Sequence, residues 1–135
     1  YGSGGIHLPD IYIIKPVFVE EELQGFAATV AHHTDVGGIV PGSNSTNSTE
    51  IYQEGIRIPT LKLFERGKPS EALFSIIEKN VRLPDKVLGD MRAQIAALNI
   101  GEREFQALAD RYGAETVERY MEALLTYTEG LARQD

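Results

Sequence analysis

Ile11-Tyr-Ile-Ile-Lys-Pro-Val-Phe-Val19 and Leu23-Gln-Gly-Phe-Ala-Ala-Thr-Val-Ala31, separated by Glu20-Glu-Glu22, decide the fold of this chain. Both runs are rich in Ile, Val, Phe, Tyr and Thr, the side chains that fit a pleated, half-buried surface. Three glutamates between them have nothing to bury and read as a solvated turn, so the runs are expected to pair as a hairpin. Pro16 cannot donate to a ladder and pushes its part of the first strand toward an edge.

Working outward, Gly2 to Pro9 is a glycine-rich entry loop. Downstream, Thr34 to Thr49 is built from Gly, Ser, Asn, Thr and Pro and reads as a loop whose length is uncommon inside a compact domain unless it is functional. Ser48 to Gly55 predicts one helical turn stopped by Gly55. Ile56-Arg-Ile58 and Leu61-Lys-Leu-Phe64 alternate apolar and polar around Pro59 and predict short extended pieces. The character changes after Gly67. Pro69 to Asn80 has helical spacing through Leu73, Ile76 and Ile77. From Pro84 the chain reads as helix to its end, through Leu88, Met91, Ile95, Leu98, Phe105 and Leu108. Gly101 either breaks that helix or only costs stability. Gly113 is a stop, and Ala114 to Ala132 reads as a further amphipathic helix through Val117, Tyr120, Met121, Leu124 and Leu125. The expected class is α+β. Residues 1–67 form a β-rich segment with a hairpin and a long glycine-rich loop, and residues 68–135 an α-helical segment.

Composition narrows the chemistry. With 42% apolar and 24% charged residues, the chain has the make-up of a globular protein, and no apolar run approaches the length that crosses a bilayer. A net charge of −7, with Lys and Arg scattered, argues against nucleic acid as a partner. The absence of cysteine removes disulfides, thiolate metal sites and cysteine nucleophiles, and fits a reducing, cytoplasmic setting. The start, Tyr1-Gly-Ser-Gly-Gly5, has no methionine and no signal-peptide pattern, which suggests processing or excision from something longer.

All three histidines fall early, at His7, His32 and His33, and they make two similar strings: His7-Leu-Pro-Asp10 and His32-His-Thr-Asp35. Imidazole nitrogen and carboxylate oxygen are the ligands that hold Mn, Fe or Zn when sulfur is lacking. A hairpin brings the beginning of its first strand beside the end of its second, which would set His7 and Asp10 against His32 and Asp35. A single histidine is more often structural than a ligand; two such pairs at the mouth of one hairpin are the reason to consider a metal. His33 reads as a substitute for His32, as a base behind it, or as a solvent-facing residue. Glu50 and Glu54 lie near the loop's end, either as proton-transfer groups or as an ordinary solvated face. Val36-Gly-Gly38 and Pro41-Gly-Ser43 allow close backbone approach to a ligand or form plain turns, and they lack the lysine of a phosphate-binding loop. Arg57, Arg82, Asp90, Arg92 and Gln94 suggest a buried polar network, an anion site or surface ion pairs.

These residues carry a resemblance. His7-Leu-Pro-Asp10, Ala31-His-His-Thr-Asp-Val-Gly-Gly38, Pro41-Gly-Ser43, Ser48-Thr-Glu-Ile-Tyr-Gln-Glu-Gly-Ile-Arg-Ile-Pro59, Asn80-Val-Arg82 and Gly89-Asp-Met-Arg-Ala-Gln94 occur in order and resemble the B-subunit family of hydantoinases and 5-oxoprolinases. The match runs from Gly5 to Tyr112. It implies an internal fragment of a longer catalytic subunit, in a hetero-oligomer with a hydantoinase A-type subunit that uses ATP, the nucleotide being bound there and not on this chain. It implies a small cyclic amide as substrate. Through the related acetone and acetophenone carboxylases it also implies a divalent metal held by His7, Asp10, His32 and Asp35, while His33, Glu50 and Glu54 stand, on the residues alone, as candidates for moving protons. The acetone and acetophenone carboxylases are a related branch and an alternative. A non-catalytic helical interaction module is the competing class.

Overall fold

A computed structural model describes residues 7–134. The element order is β1 (Asp10–Val19), β2 (Glu22–His32), β3 (Phe64–Glu65), β4 (Lys68–Pro69), α1 (Glu71–Asn80), α2 (Pro84–Tyr112) and α3 (Ala114–Ala132). β1 pairs with β2 and β3 with β4 in separate two-stranded sheets. The class is α+β, as the residue pattern implies. Among the described residues no helix is long and apolar enough to cross a membrane.

The hairpin turn is tighter than three glutamates suggest. Glu22 already belongs to β2, and the turn is Glu20–Glu21, with φ of 50° and 68°. Positive φ at both central residues is the type I′ geometry whose twist matches that of paired strands, and it normally recruits Asn-Gly. Two glutamates meet it here at a steric cost. β2 also runs one residue further than expected and ends on His32.

Between the sheets the chain is mostly irregular. Pro41–Ser43 and Ile51–Gln53 are single 3-10 turns, the second where a helical turn was expected. Ile56–Ile58 and Leu61–Leu63 form no strands; Ile56 donates one backbone bond to Val36 O at 2.8 Å, and Phe64 alone of these residues joins a ladder. Pro59 lacks the N–H a ladder needs, so the alternation there has no partner strand. α1 begins at Glu71 because Pro69 is still paired with Phe64 in β4. Gly101 does not break α2. A Cβ there would lie 3.9 Å from Ala27 Cβ, an ordinary contact.

The change of secondary-structure type near Gly67 is real, but compactness divides the chain differently. One unit joins the stretch ending at Ile13 to Thr29–Ala96; the other joins the hairpin tip, Ile14–Ala28, to the chain from Ala97 onward. In the first, Ile77, Val87 and Met91 form the core, with Leu63, Leu73, Phe74, Val81 and Leu88 packed on it. In the second, Val17, Leu98 and Ala109 are buried, Lys15 pairs with Glu102 and with Asn99 Oδ1 (2.7 Å), and Gln106 Nε2 donates to Phe18 O at 2.9 Å. α3 buries no residue; Tyr120, Leu124, Leu125 and Tyr127 are all exposed.

Two stability measurements test this account. Ile77→Ala empties the core position and should cost about 3 kcal/mol in urea unfolding, as large-to-small core changes do. Replacing Glu20-Glu21 by Asn-Gly fits the turn to its backbone and should raise stability by about 1 kcal/mol; no gain would mean that the turn is not of this type.

Candidate metal centre

The hairpin does bring its ends together. Asp10 opens β1 and His32 closes β2, and His32 Nδ1 lies 2.8 Å from Asp10 Oδ1. His7 precedes a turn in which Asp10 N donates to His7 O at 3.1 Å, so this tight turn carries His7 back over the sheet. Its ring stacks on that of His32, centroids 5.1 Å apart and planes 23° from parallel. The backbone closes the mouth from inside, where His33 N donates to Pro9 O at 2.8 Å. The His32 ring thus meets both Asp10 and His7, and all three residues reach solvent.

Asp35 is placed otherwise. Its side chain is 0% exposed and its carboxylate is fully engaged. Gly37 N donates to Oδ1 at 3.0 Å and Arg82 Nη1 to the same oxygen at 2.9 Å, while the backbone N–H of Arg82 donates to Oδ2. Arg82 also donates to the carbonyl of Gly38 through Nη2. This clamp explains the glycines. Val36–Ile39 runs against Gln53–Ile56, with Ile39 N on Gln53 O and Ile56 N on Val36 O, each at 2.8 Å. A Cβ on Gly38 (φ 74°) would lie 2.5 Å from Gln53 O, and one on Gly55 (φ 143°) 2.6 Å from Val36 O. The close approach that these glycines permit is to the chain's own backbone.

His33, the first residue past β2, is buried where its neighbour His32 is exposed. It is 0% exposed; Nε2 meets Gln94 Oε1 at 3.0 Å and Nδ1 is buried without a hydrogen-bond partner. Glu50 and Gln53 make a capping box on the second 3-10 turn, Gln53 Oε1 accepting from Thr49 N at 2.7 Å and Glu50 N at 3.4 Å. Glu54 closes the same turn through its N–H to Ile51 O at 3.0 Å.

The donor set at the mouth fits a borderline divalent ion in kind, with two imidazoles and a carboxylate in contact. Among the described residues, however, no group of three or more His, Asp or Glu side chains is spaced to hold one ion as it stands. Of the other polar residues that the motifs single out, Arg82 ties to Asp35, Gln94 to His33, and Arg57 lies over the Tyr52 ring at 5.5 Å. For Arg82 and Gln94 the residue types are visible in the sequence but the partners are not, because the contacts join positions 47 and 61 residues apart.

This chain belongs to the hydantoinase B/oxoprolinase family, whose pattern matches residues 1–135. It is 37% identical over 131 residues to the B-type chain of a putative D-/L-hydantoinase of Pseudomonas sp. (strain NS671), covering 96% of this chain and 22% of that protein. It is 40% identical over 120 residues to a 5-oxoprolinase of Dictyostelium discoideum, covering 88% of this chain and 9% of that one. The crystal structure of an ATP-dependent caprolactamase from Pseudomonas jessenii superposes with a TM-score of 0.80 at 37% identity, over 90% of this chain and 23% of that chain. The chain therefore spans less than a quarter of the length of these relatives.

The Asp35 clamp makes a direct prediction. Arg82→Ala leaves a buried carboxylate with only backbone donors and should destabilise the protein by about 3 kcal/mol, measured by urea unfolding at neutral pH. A change within about 0.5 kcal/mol, the size of an ordinary surface substitution, would show that the ion pair is not holding the turn.

Proposed function

We propose that this chain is the metal-bearing part of a cytoplasmic subunit that opens small cyclic amides at the expense of ATP, the nucleotide being handled by a hydantoinase A-type partner. The observation that carries this reading is the contact of His7, His32 and Asp10 at the hairpin mouth, in a chain whose relatives bear the names hydantoinase, 5-oxoprolinase and caprolactamase. Those names refer to ring amides and favour this branch over ketone carboxylation.

In this reading His7, Asp10, His32 and Asp35 hold one divalent ion of the Mn, Fe or Zn kind. When bound, such an ion polarises an amide carbonyl or makes water a ready nucleophile. Asp10 Oδ1 meets His32 Nδ1 in the structure, so the two bind one ion together only by exchanging that contact for bonds to the metal. Asp35 enters the set only by giving up its bonds to Arg82 and Gly37. Proton transfer to the departing nitrogen falls to His33, Glu50 or Glu54. Because His33 is sealed from water while both glutamates reach the surface, the glutamates are better placed to exchange that proton with solvent.

A second reading, a non-catalytic interaction module, draws on α3, whose apolar residues are exposed. The two separate in sedimentation, since a docking module associates without metal.

The test is metal content. The purified protein, loaded with Mn²⁺ and desalted, should retain about one ion. His7→Ala and His32→Ala should each lower the affinity by at least about tenfold, in line with the loss of a ligand or its orienting partner. Equal metal content in both variants would reject this centre.

A further inference from the structure

Gln94, within α2, is only 6% exposed. Burying an amide destabilises a fold when its bonding is incomplete, so its partners matter. Nε2 donates to Ile11 O at 2.9 Å and to Thr29 Oγ1 at 3.4 Å, while Oε1 meets His33 Nε2 at 3.0 Å. The amide cannot be turned round, because a flip would set Oε1 against the Ile11 carbonyl, one acceptor facing another. Oε1 is therefore the atom that meets His33. As an oxygen that only accepts, it requires the ring hydrogen of His33 to be on Nε2. That leaves Nδ1 with a bare lone pair, in keeping with its having no hydrogen-bond partner.

These partners are arranged about the mouth. Ile11 follows Asp10, and His33 follows His32. The Gln94 side chain thus joins the start of β1 to the end of β2 directly behind the Asp10–His32 contact. His33 turns inward and His32 outward from the same stretch of backbone, so fixing the buried ring fixes the exposed one.

We infer that Gln94 is the positioning residue of the hairpin mouth: by locking His33 as its Nε2–H tautomer and gripping Ile11, it sets the Asp10–His32 pair. The value of that pair to a metal rests on the function proposed above; the lock itself does not.

The experiment is long-range ¹H–¹⁵N correlation on the intact protein with ¹⁵N-labelled histidine at about pH 8, where an unperturbed imidazole is neutral. Wild type should show His33 as the Nε2–H tautomer and His32 as Nδ1–H, held by Asp10. Gln94→Met keeps the length of the side chain and removes its hydrogen bonds; it should shift both histidines toward mixed tautomers. It should also weaken Mn²⁺ binding about 10- to 100-fold, the usual effect of losing a residue that orients a ligand. A wild-type His33 carrying its hydrogen on Nδ1, or on both nitrogens, overturns the inference without any variant. So does a Gln94→Met protein with wild-type histidine signals or wild-type Mn²⁺ affinity. Wild type that binds no Mn²⁺ sinks the metal reading alone, and the histidine spectra still decide the role of Gln94.

Discussion

A carboxylate removed from water must be met by donors or it destabilises the fold by several kcal/mol. Asp35 is such a group, and the turn leaving the hairpin is organised around satisfying it. The residues that do so, Gly37 and Arg82, come from its own turn and from the link between α1 and α2. Beside it Val36–Ile39 lies against Gln53–Ile56, and that approach needs glycine at 38 and 55. The ion pair and this backbone pairing together hold the turn that follows His32.

That anchoring has a functional side. His32 closes β2 and His33 follows it, and the two side chains lie in different environments. One goes to the solvent-facing mouth with Asp10 and His7, the other to the interior with Gln94. A pair of histidines that looks redundant on paper is divided between an outward group paired with Asp10 and an inward group bonded to Gln94. The membership of the chain in the hydantoinase B/oxoprolinase family, and its likeness to an ATP-dependent caprolactamase, set this division in the context of enzymes named for cyclic amides.

How much was legible depended on the range of the interaction. The hairpin and the helices were readable because strand-forming runs and helical periodicity are local, and their limits fall within two residues of expectation, the hairpin turn excepted in type. The meeting of Asp10 with His32 was readable too, since strand length and a tight turn fix it. The position of Asp35 was not. Its string repeats that of Asp10, but the Val36–Gly38 backbone turns it inward to an arginine that no spacing rule connects to it. Ile56–Leu63, read as short extended pieces, joins no ladder among the described residues, because alternation makes a strand only where another strand offers its N–H and C=O groups.

By itself, then, the sequence determined the α+β class, the hairpin, the long helices and the family, because each rests on local pattern or on motifs kept in order. Only the tertiary structure decided which carboxylate stays at the mouth and which is spent on an arginine, and which histidine is exposed. Those choices are made by burial and by pairing across tens of residues, and burial is a property of the folded chain rather than of any short stretch of it.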